Sequence, residues 1–306
     1  MSAKHFRSPK PLTPGARVAL IAPAGPLTKE DELPRALDNA RAFGWDPVVG
    51  KNAQRRLGYL AGDDRARLDD INQALHDETI DALWCLRGGY GMIRILDGID
   101  YHALETNPKP IIGYSDITAL HAAVQRKCWL ISYHGPTARE PMSSFSRDSL
   151  ERAVVQQTDP CGAAAGARAL SVGKADGRLA GGNLAVLASL CGTPYAPDLS
   201  DCILILEDIN EPVYRIDRML QQLKLSGMLR GCKAVAFGEC VKCPDDAGGG
   251  ARPFDEVLGE IVRELRVPCI AGIPVGHIAE QWTIPLGAMA TLDAESCTLS
   301  VTSYGS

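Results

Sequence analysis

Short apolar runs alternate with amphipathic helical patterns throughout the first half of this 306-residue chain. Each run has the length of a buried strand and is followed by a helical pattern, which is the order expected of a parallel sheet with crossover helices. The apolar runs lie at 17–22, 46–50, 82–86, 110–114 and 129–133, and the helical patterns at about 29–43, 64–77, 91–98 and 116–127. The alternation predicts a doubly wound α/β fold for this half.

A stretch of small and polar residues at 158–174, DPCGAAAGARALSVGKA, interrupts this alternation. Such composition is typical of a linker or a long surface connection. We therefore expect a first domain over 1–160, a linker over 161–174 and a second domain over 175–306. In the second domain, strand-like runs lie at about 202–207 and 233–237, helical patterns at about 213–226 and 253–265, and short β runs at the end, which indicates a mixed α/β domain.

The charge and apolar patterns exclude several classes of protein. The formal net charge is −5 and the basic residues are scattered, so we expect no nucleic-acid partner. No apolar run has the length of a signal peptide core or a membrane span, so we expect a cytoplasmic protein without membrane contact. Four of the ten cysteines lie in strand-like apolar runs and are expected to be buried free thiols in a reducing cytoplasm: Cys85, Cys202, Cys232 and Cys269.

The single C-x-x-C motif, Cys240 and Cys243, has no second pair at zinc spacing. Structural zinc sites need four ligands, and no histidine lies near enough in sequence to complete one. We therefore expect neither a metal nor a cofactor.

Ligands of open parallel sheets bind beyond the carboxyl ends of the strands, so the loops after the apolar runs are the first candidates for a site. The run at 82–86 is followed by Arg87-Gly88-Gly89-Tyr90-Gly91. Closely spaced glycines let the backbone turn sharply and present N–H groups to a ligand, although a plain turn explains them equally well. The loop is not a phosphate-binding P-loop, because no Gly-Lys-Ser/Thr follows.

Ser115 follows the next apolar run, in IIGYSDITALH at 111–121. A serine at a strand-to-helix corner can be an exposed nucleophile, and the helix N-terminus beside it can stabilise an oxyanion. A helix N-cap is the alternative, and it is the one that the local sequence alone favours. Ile117 also stands where the familiar nucleophile elbow has glycine.

A serine nucleophile requires a base, for which histidine is the usual residue. His134 ends the strand-like ISYHGP, and His277 follows the turn-rich GIPVG at 272–276, so both are candidates. His121 lies six residues beyond Ser115, roughly 9 Å along a helix that rises about 1.5 Å per residue, which is too far for a direct hydrogen bond.

Glu207 ends the buried run CILILE and could hold an imidazole in the required tautomer. Capping or ordinary ion pairing is an equally good explanation of a strand-end acid. The rival carboxylate is Asp217, but Arg215 and Arg218 flank it in a helical pattern, which is typical of a solvated helix face.

Six blocks in this order carry a resemblance to a known family: CLRGGYG, IGYSDITALH, HGP, LAGGNL, LEDINEPVYRIDRML, and GIPVGH followed by TIPLGA. The set resembles the murein-peptide L,D-carboxypeptidases, a serine peptidase family that also includes the microcin-immunity peptidases. The likeness extends from about residue 21 to about residue 290. The sequence departs from the family pattern around Ile278 and Trp282, close to the expected substrate pocket.

The resemblance implies a flavodoxin-like N-terminal domain with a parallel sheet and a smaller C-terminal swivelling β/β/α domain. It implies Ser115 as nucleophile, His277 as general base and Glu207 as the acid that orients the base. It further implies an oxyanion hole formed by the backbone N–H groups of Gly89 and Asp116. It also implies a homodimer.

The function expected from the resemblance is metal-independent release of terminal D-Ala from murein tetrapeptide or a related small peptide, in cell-wall recycling. The alternatives are a microcin-immunity type peptidase or amidase with the same triad, and a non-catalytic murein-peptide binding protein. A carboxypeptidase must also bind a free carboxylate, and the sequence offers Arg87 and Arg215 without favouring either. It does not distinguish lysine-containing from diaminopimelate-containing peptides.

Overall fold

Two sheets organise the chain in the computed structural model, which describes residues 6–244 and 252–305. The strands are β1 Arg17–Ile21, β2 Asp46–Val49, β3 Ala82–Cys85, β4 Ile111–Gly113, β5 Ser132–His134, β6 Gly162–Ala163, β7 Arg168–Ser171, β8 Lys174–Asn183, β9 Cys202–Ile209, β10 Ala234–Val241, β11 Cys269–Ala271, β12 Ile284–Leu286, β13 Met289–Asp293 and β14 Thr298–Ser303. The α-helices are α1 Glu32–Ala42, α2 Asp64–His76, α3 Tyr101–Thr106, α4 Thr118–Cys128, α5 Ser144–Glu151, α6 Leu184–Ser189, α7 Val213–Leu225 and α8 Phe254–Leu265.

The first sheet has six strands in the order β2-β1-β3-β4-β5-β12, of which β1 to β5 are parallel and β12 is antiparallel. This is the flavodoxin-like order, in which ligands bind where the chain switches direction between β1 and β3. The strands are apolar because both faces are covered, and Leu83, Trp84 and Ile112 are almost completely buried. The predicted parallel α/β fold is confirmed.

The segment at 91–98 does not form the predicted α-helix. It forms two short 3₁₀ turns, Met92–Arg94 and Leu96–Gly98. A glycine lies at each end of the segment. Gly91 has φ +117°, which is not a helical conformation, and a Cβ on Gly98 would lie 2.4 Å from a methyl carbon of Leu68. The apolar residues of the segment still face the core, where Met92 and Leu96 are buried.

The second sheet has the order β6-β14-β13-β8-β9-β10-β11-β7. Strands β8 to β11 are parallel, and antiparallel strands extend the sheet at both ends. Helices α7 and α8 pack apolar faces on it through Ile216, Leu220, Leu258 and Ile261. The mixed α/β second domain predicted from the sequence is therefore present.

The stretch predicted as a linker, 161–174, contains two short strands, β6 and β7. They lie at opposite edges of the second sheet, where β6 pairs with β14 and β7 pairs with β11. A sheet edge offers unpaired backbone groups to any nearby extended segment, which explains why a sequence without strand periodicity is recruited there. The domain limits at 160 and 175 remain a prediction.

The two sheets are joined through β12, which pairs antiparallel with β5 at the edge of the first sheet. The chain therefore leaves the second sheet at β11 and returns to the first sheet about a dozen residues later. The crossing segment, residues 272–283, passes close to the carboxyl ends of β4 and β5: the ring of His277 lies 4.9 Å from that of Tyr114, and a Cβ on Gly135 would lie 2.7 Å from the Thr283 hydroxyl oxygen.

A second junction lies at the GGN motif that ends β8. A Cβ on Gly182 would stand 2.5 Å from the Thr118 Oγ1 atom, so only glycine lets β8 approach the start of α4 this closely. The Asn183 backbone N–H donates to the Thr118 hydroxyl at 3.0 Å. This contact fixes β8 and its neighbour β9 beside the loop that carries Ser115.

The cysteines at 85, 202, 232 and 269 are buried and free, as expected. Over the ranges that the structure describes, no helix combines the length and the hydropathy needed to cross a membrane.

Candidate active site

Ser115 lies at a sharp turn between β4 and α4. Its backbone has φ +64°, a left-handed conformation that is uncommon for a residue other than glycine and costs of order 1–3 kcal/mol. Residues 115–117 form a 3₁₀ turn, and α4 begins only at Thr118, without a side-chain cap at Ile117. The N-cap alternative is thus not what the structure contains. Within residues 6–244 and 252–305 the partly exposed Ser115 hydroxyl makes no hydrogen bond.

The glycine loop after β3 lies directly against Ser115. A Cβ on Gly88 would stand 2.7 Å from the Ser115 Cβ and 3.0 Å from its hydroxyl oxygen. The loop is held from the other side by Gly25, whose N–H donates to the Gly88 carbonyl at 3.0 Å. The loop after β1, at Gly25, and the loop after β3, at Gly88, are therefore in close backbone contact. They meet at the β1/β3 switch point, where the fold predicts a ligand site.

The expected oxyanion donors are the backbone N–H groups of Gly89, which follows Gly88, and of Asp116, which follows Ser115. Gly89 has φ +117°, and in the part of the chain that the structure describes its N–H makes no hydrogen bond. Asp116 lies in the first turn after β4, where backbone N–H groups lack an intrahelical acceptor. The Asp116 side chain is engaged elsewhere: it is buried, which raises its pKa, and it accepts from the Met92 N–H at 2.8 Å.

Glu207 and His277 form a hydrogen bond of 2.8 Å between Oε2 and Nδ1. The Glu207 side chain has no solvent exposure, and that of His277 is 16% exposed. Gly276, with φ +120°, would place a Cβ 3.0 Å from the same carboxylate oxygen, so the turn-rich segment needs glycine to bring the imidazole this close. With Nδ1 occupied by the acid, Nε2 is left for proton transfer.

The pKa of His277 lies above its ordinary value of 6.5. Burial disfavours the imidazolium and lowers this pKa, but the hydrogen bond and charge of Glu207, followed by the charges of Glu140 and Asp208, outweigh that effect. Burial and the neighbouring Glu207 charge raise the pKa of Asp208 to about 6. The site thus combines a basic imidazole with buried carboxylates that stabilise its protonated form.

Tyr114 links Ser115 to His277. Its ring centroid lies 4.9 Å from that of His277, and its hydroxyl donates to the Glu140 carboxylate at 2.7 Å. Burial raises the pKa of Glu140. The sequence analysis missed this pair, and its one available signal was that Tyr114 immediately precedes the candidate nucleophile.

The other candidate bases are not placed for the reaction. His121 is buried, donates from Nε2 to the Gly113 carbonyl at 2.8 Å and bonds the Ser132 hydroxyl at 2.9 Å. Burial lowers its pKa to about 4. His134 is also completely buried, and burial followed by the neighbouring histidines holds its pKa well below the ordinary value.

The rival acid Asp217 faces Arg252 at 3.9 Å and is 35% exposed. It is therefore an ordinary helix-surface charge, whereas Glu207 contacts the imidazole directly. Among the residues that the structure describes, no three His, Cys, Asp or Glu side chains are grouped as metal ligands.

The expected site residues from both halves of the chain are thus brought to one place, with one link still open. Glu207 and His277 are in contact, and His277 packs beside Tyr114, but His277 makes no hydrogen bond to Ser115 among the described residues. Such an arrangement can perform acyl transfer once the Ser115 hydroxyl and the imidazole approach hydrogen-bond distance, and loose contacts of this kind are common without substrate.

Two domain models of one known protein family match this chain. The LD-carboxypeptidase N-terminal domain matches residues 18–135, and the LD-carboxypeptidase C-terminal domain matches residues 176–292. The chain belongs to the LD-carboxypeptidase family. The family assignment expected from the sequence motifs is therefore confirmed.

Several known proteins are similar to this chain over nearly its whole length. The murein tetrapeptide carboxypeptidase of Pseudomonas aeruginosa is 35% identical over 90% of this chain and 93% of its own. The microcin C7 self-immunity protein of Escherichia coli is 26% identical over 99% of this chain and 97% of its own. The crystal structure of muramoyltetrapeptide carboxypeptidase from Oxalobacter formigenes superposes with a TM-score of 0.83 at 29% identity, covering 94% of this chain and 99% of the other.

Proposed function

We propose that this protein is a serine L,D-carboxypeptidase that releases the terminal D-Ala of a murein tetrapeptide, with Ser115, His277 and Glu207 as catalytic residues. The observation that carries the proposal is the buried Glu207–His277 hydrogen bond beside the strained Ser115 turn. The full-length similarity to a murein tetrapeptide carboxypeptidase supports the substrate class.

Acylation begins when Ser115 Oγ attacks the carbonyl carbon of the amide that precedes the terminal D-Ala. His277 Nε2 accepts the hydroxyl proton, and Glu207 stabilises the imidazolium through Nδ1–H. The tetrahedral oxyanion binds the N–H groups of Gly89 and Asp116. Each such donor contributes roughly 10²–10³ in turnover.

The C–N bond then breaks as His277 gives its proton to the leaving amine, which releases D-Ala and leaves the tripeptide esterified to Ser115. Water attacks this ester, with His277 again accepting the proton. The bond between the acyl carbon and Ser115 Oγ then breaks as His277 returns that proton to Oγ, which releases the tripeptide acid and restores the free serine. The raised pKa of His277 favours proton capture in both half-reactions.

The experiment is an assay of D-Ala release from tetrapeptide by purified protein, with and without a chelator and beside Ser115→Ala. The proposal expects release that a chelator does not abolish and that Ser115→Ala lowers to a small residual rate. Release close to the wild-type rate in Ser115→Ala would overturn the assignment of the nucleophile.

A microcin-immunity type reaction is the second candidate, supported by the similarity to the microcin C7 self-immunity protein. Its test is cleavage of an aminoacyl sulfamoyl adenylate by the same preparation. Cleavage of this compound without D-Ala release from tetrapeptide would favour the second candidate, and turnover of neither would favour a binding protein.

We further propose a cytoplasmic homodimer acting in cell-wall recycling, on the basis of the family resemblance. Light scattering on purified protein measures its mass, and a monomer at micromolar concentration would contradict the dimer. Fractionation of cells that express the protein tests the compartment.

A further inference from the structure

The side chain of Arg87 lies at the glycine loop that faces Ser115. Its Nε atom stands 3.3 Å from the position that a Cβ on Gly25 would take and 3.8 Å from that on Gly89. Its Nη1 atom donates to the Pro26 carbonyl at 2.6 Å, which anchors the guanidinium. The Nε–H is buried and has no acceptor within the described part of the chain.

The guanidinium of Arg87 also has no ion-pair partner there. The nearby Arg139 is paired with Glu32, and the Glu32 carboxylate also accepts the backbone N–H of Thr28 at 2.6 Å and of Lys29 at 3.2 Å. Glu32 is therefore committed, and no described residue forms an ion pair with Arg87. Burial, and next the charge of Arg139, lower the pKa of Arg87 and outweigh the opposing charge of Glu32, so a bound anion would stabilise the guanidinium.

Arg215, the other arginine singled out in the sequence, is already neutralised. Its Nε lies 2.8 Å from the carboxylate of Glu211, four residues earlier and just before α7, and its side chain is 52% exposed. A paired and solvated arginine has less to gain from a new carboxylate than one that is partly buried and unpaired.

We propose that Arg87 binds the terminal carboxylate of the peptide substrate and so makes the enzyme select free C-termini. This inference rests on the proposed function. Only the amide nitrogen and one Cα separate the scissile carbonyl from the terminal carboxylate. An anion site beside Gly89, a proposed oxyanion donor, is therefore where a carboxypeptidase with this oxyanion hole must place its carboxylate group.

The test compares a tetrapeptide ending in D-Ala with the same peptide ending in D-alaninamide. The measured quantity is the ratio of kcat/KM for the acid to that for the amide, in wild type, Arg87→Gln and the control Arg215→Gln. Losing a charge-assisted hydrogen bond should lower this ratio by roughly 10–100-fold in Arg87→Gln. Arg215→Gln should keep the wild-type ratio, and Arg87→Lys, which retains the charge, should restore part of it.

If Arg87→Gln loses activity equally toward both peptides, the ratio is unchanged and the residue only supports the loop. If Arg87→Gln keeps wild-type kcat/KM toward both peptides, the residue does not contact the carboxylate. Either result overturns the proposal. Binding of both peptides to Ser115→Ala, with and without Arg87→Gln, is measured by calorimetry in parallel. If wild type releases no D-Ala, the proposed function fails, yet binding preference for the acid that depends on Arg87 would still support a carboxylate site, and its absence would refute one.

Discussion

Replacing Glu207 by glutamine removes the charge that supports His277 while keeping the shape of the side chain. The acid is fully buried and its hydrogen bond to Nδ1 is 2.8 Å long. A hydrogen bond to a charged group contributes about 1.5–3 kcal/mol, or roughly 10–150-fold in rate. An amide can also hold the imidazole in the wrong tautomer, which has cost about 10⁴ in the serine-protease triad. We therefore expect kcat to fall by about 10²–10⁴.

The pH profile carries a second signature. Neutral His277 is the base, so kcat/KM is lost as the pH falls through its pKa, and in the wild type this limb should lie above 6.5. Burial is the largest influence on this pKa and lowers it, and in Glu207→Gln only the weaker charges of Glu140 and Asp208 oppose burial. The limb should therefore move to lower pH.

The assay is D-Ala release between pH 5 and 9, with Asp217→Asn as the matched control because Asp217 is a carboxylate outside the site. The control should keep the wild-type rate and profile. A loss smaller than threefold in Glu207→Gln, or an acid limb that stays in place, would refute the reasoning.

Other substitutions test the surrounding structure. Gly88→Ala would place a Cβ 2.7 Å from that of Ser115 and should lower kcat by about 10² or more. The control Gly259→Ala, in the middle of α8, should leave the rate unchanged and raise the free energy of unfolding by about 0.5–1 kcal/mol. Normal activity in Gly88→Ala would contradict the close approach. Ser115→Gly removes a left-handed non-glycine residue and should raise the free energy of unfolding by about 1 kcal/mol in urea titration while abolishing turnover, and lower stability would argue against strain. His121→Ala leaves a buried hydroxyl and carbonyl without this partner and should lower that free energy by about 2–4 kcal/mol, so an unchanged denaturation midpoint would refute a structural role.

Much of the first domain follows from local patterns. The strand predicted at 82–86 is observed at Ala82–Cys85, and the helix predicted at 64–77 at Asp64–His76. Buried parallel strands and amphipathic helices leave strong periodic signals, which explains this agreement. The helix predicted at 116–127 begins later, at Thr118, because the turn at Ser115 continues as 3₁₀ through Ile117.

Pairings between distant segments could not be predicted in the same way. Nothing local marks Ile284–Leu286 as an edge strand of the first sheet, or Arg168–Ser171 as an edge strand of the second. Such short strands are selected by the open sheet edge that they cover rather than by their own propensity.

In the candidate site, too, local motifs indicated some residues, whereas contacts between distant segments had to come from the structure. The family resemblance implied Ser115, Glu207 and His277, and the hydrogen bond to His277 adds a geometric reason to prefer Glu207 to Asp217 as the partner of the imidazole. The role of Tyr114 beside His277 also depends on a contact across the two halves of the chain, which sequence spacing does not encode.

The central claim is that Ser115, His277 and Glu207 act as one unit, and a double-mutant cycle on D-Ala release tests it most directly. Residues of a single catalytic unit are strongly non-additive, so removing one makes the loss of another nearly silent. With enzyme in excess and long incubation, Ser115→Ala/Glu207→Gln should retain the residual rate of Ser115→Ala within about threefold. A double variant slower than Ser115→Ala by the full factor that Glu207→Gln costs alone would contradict the account.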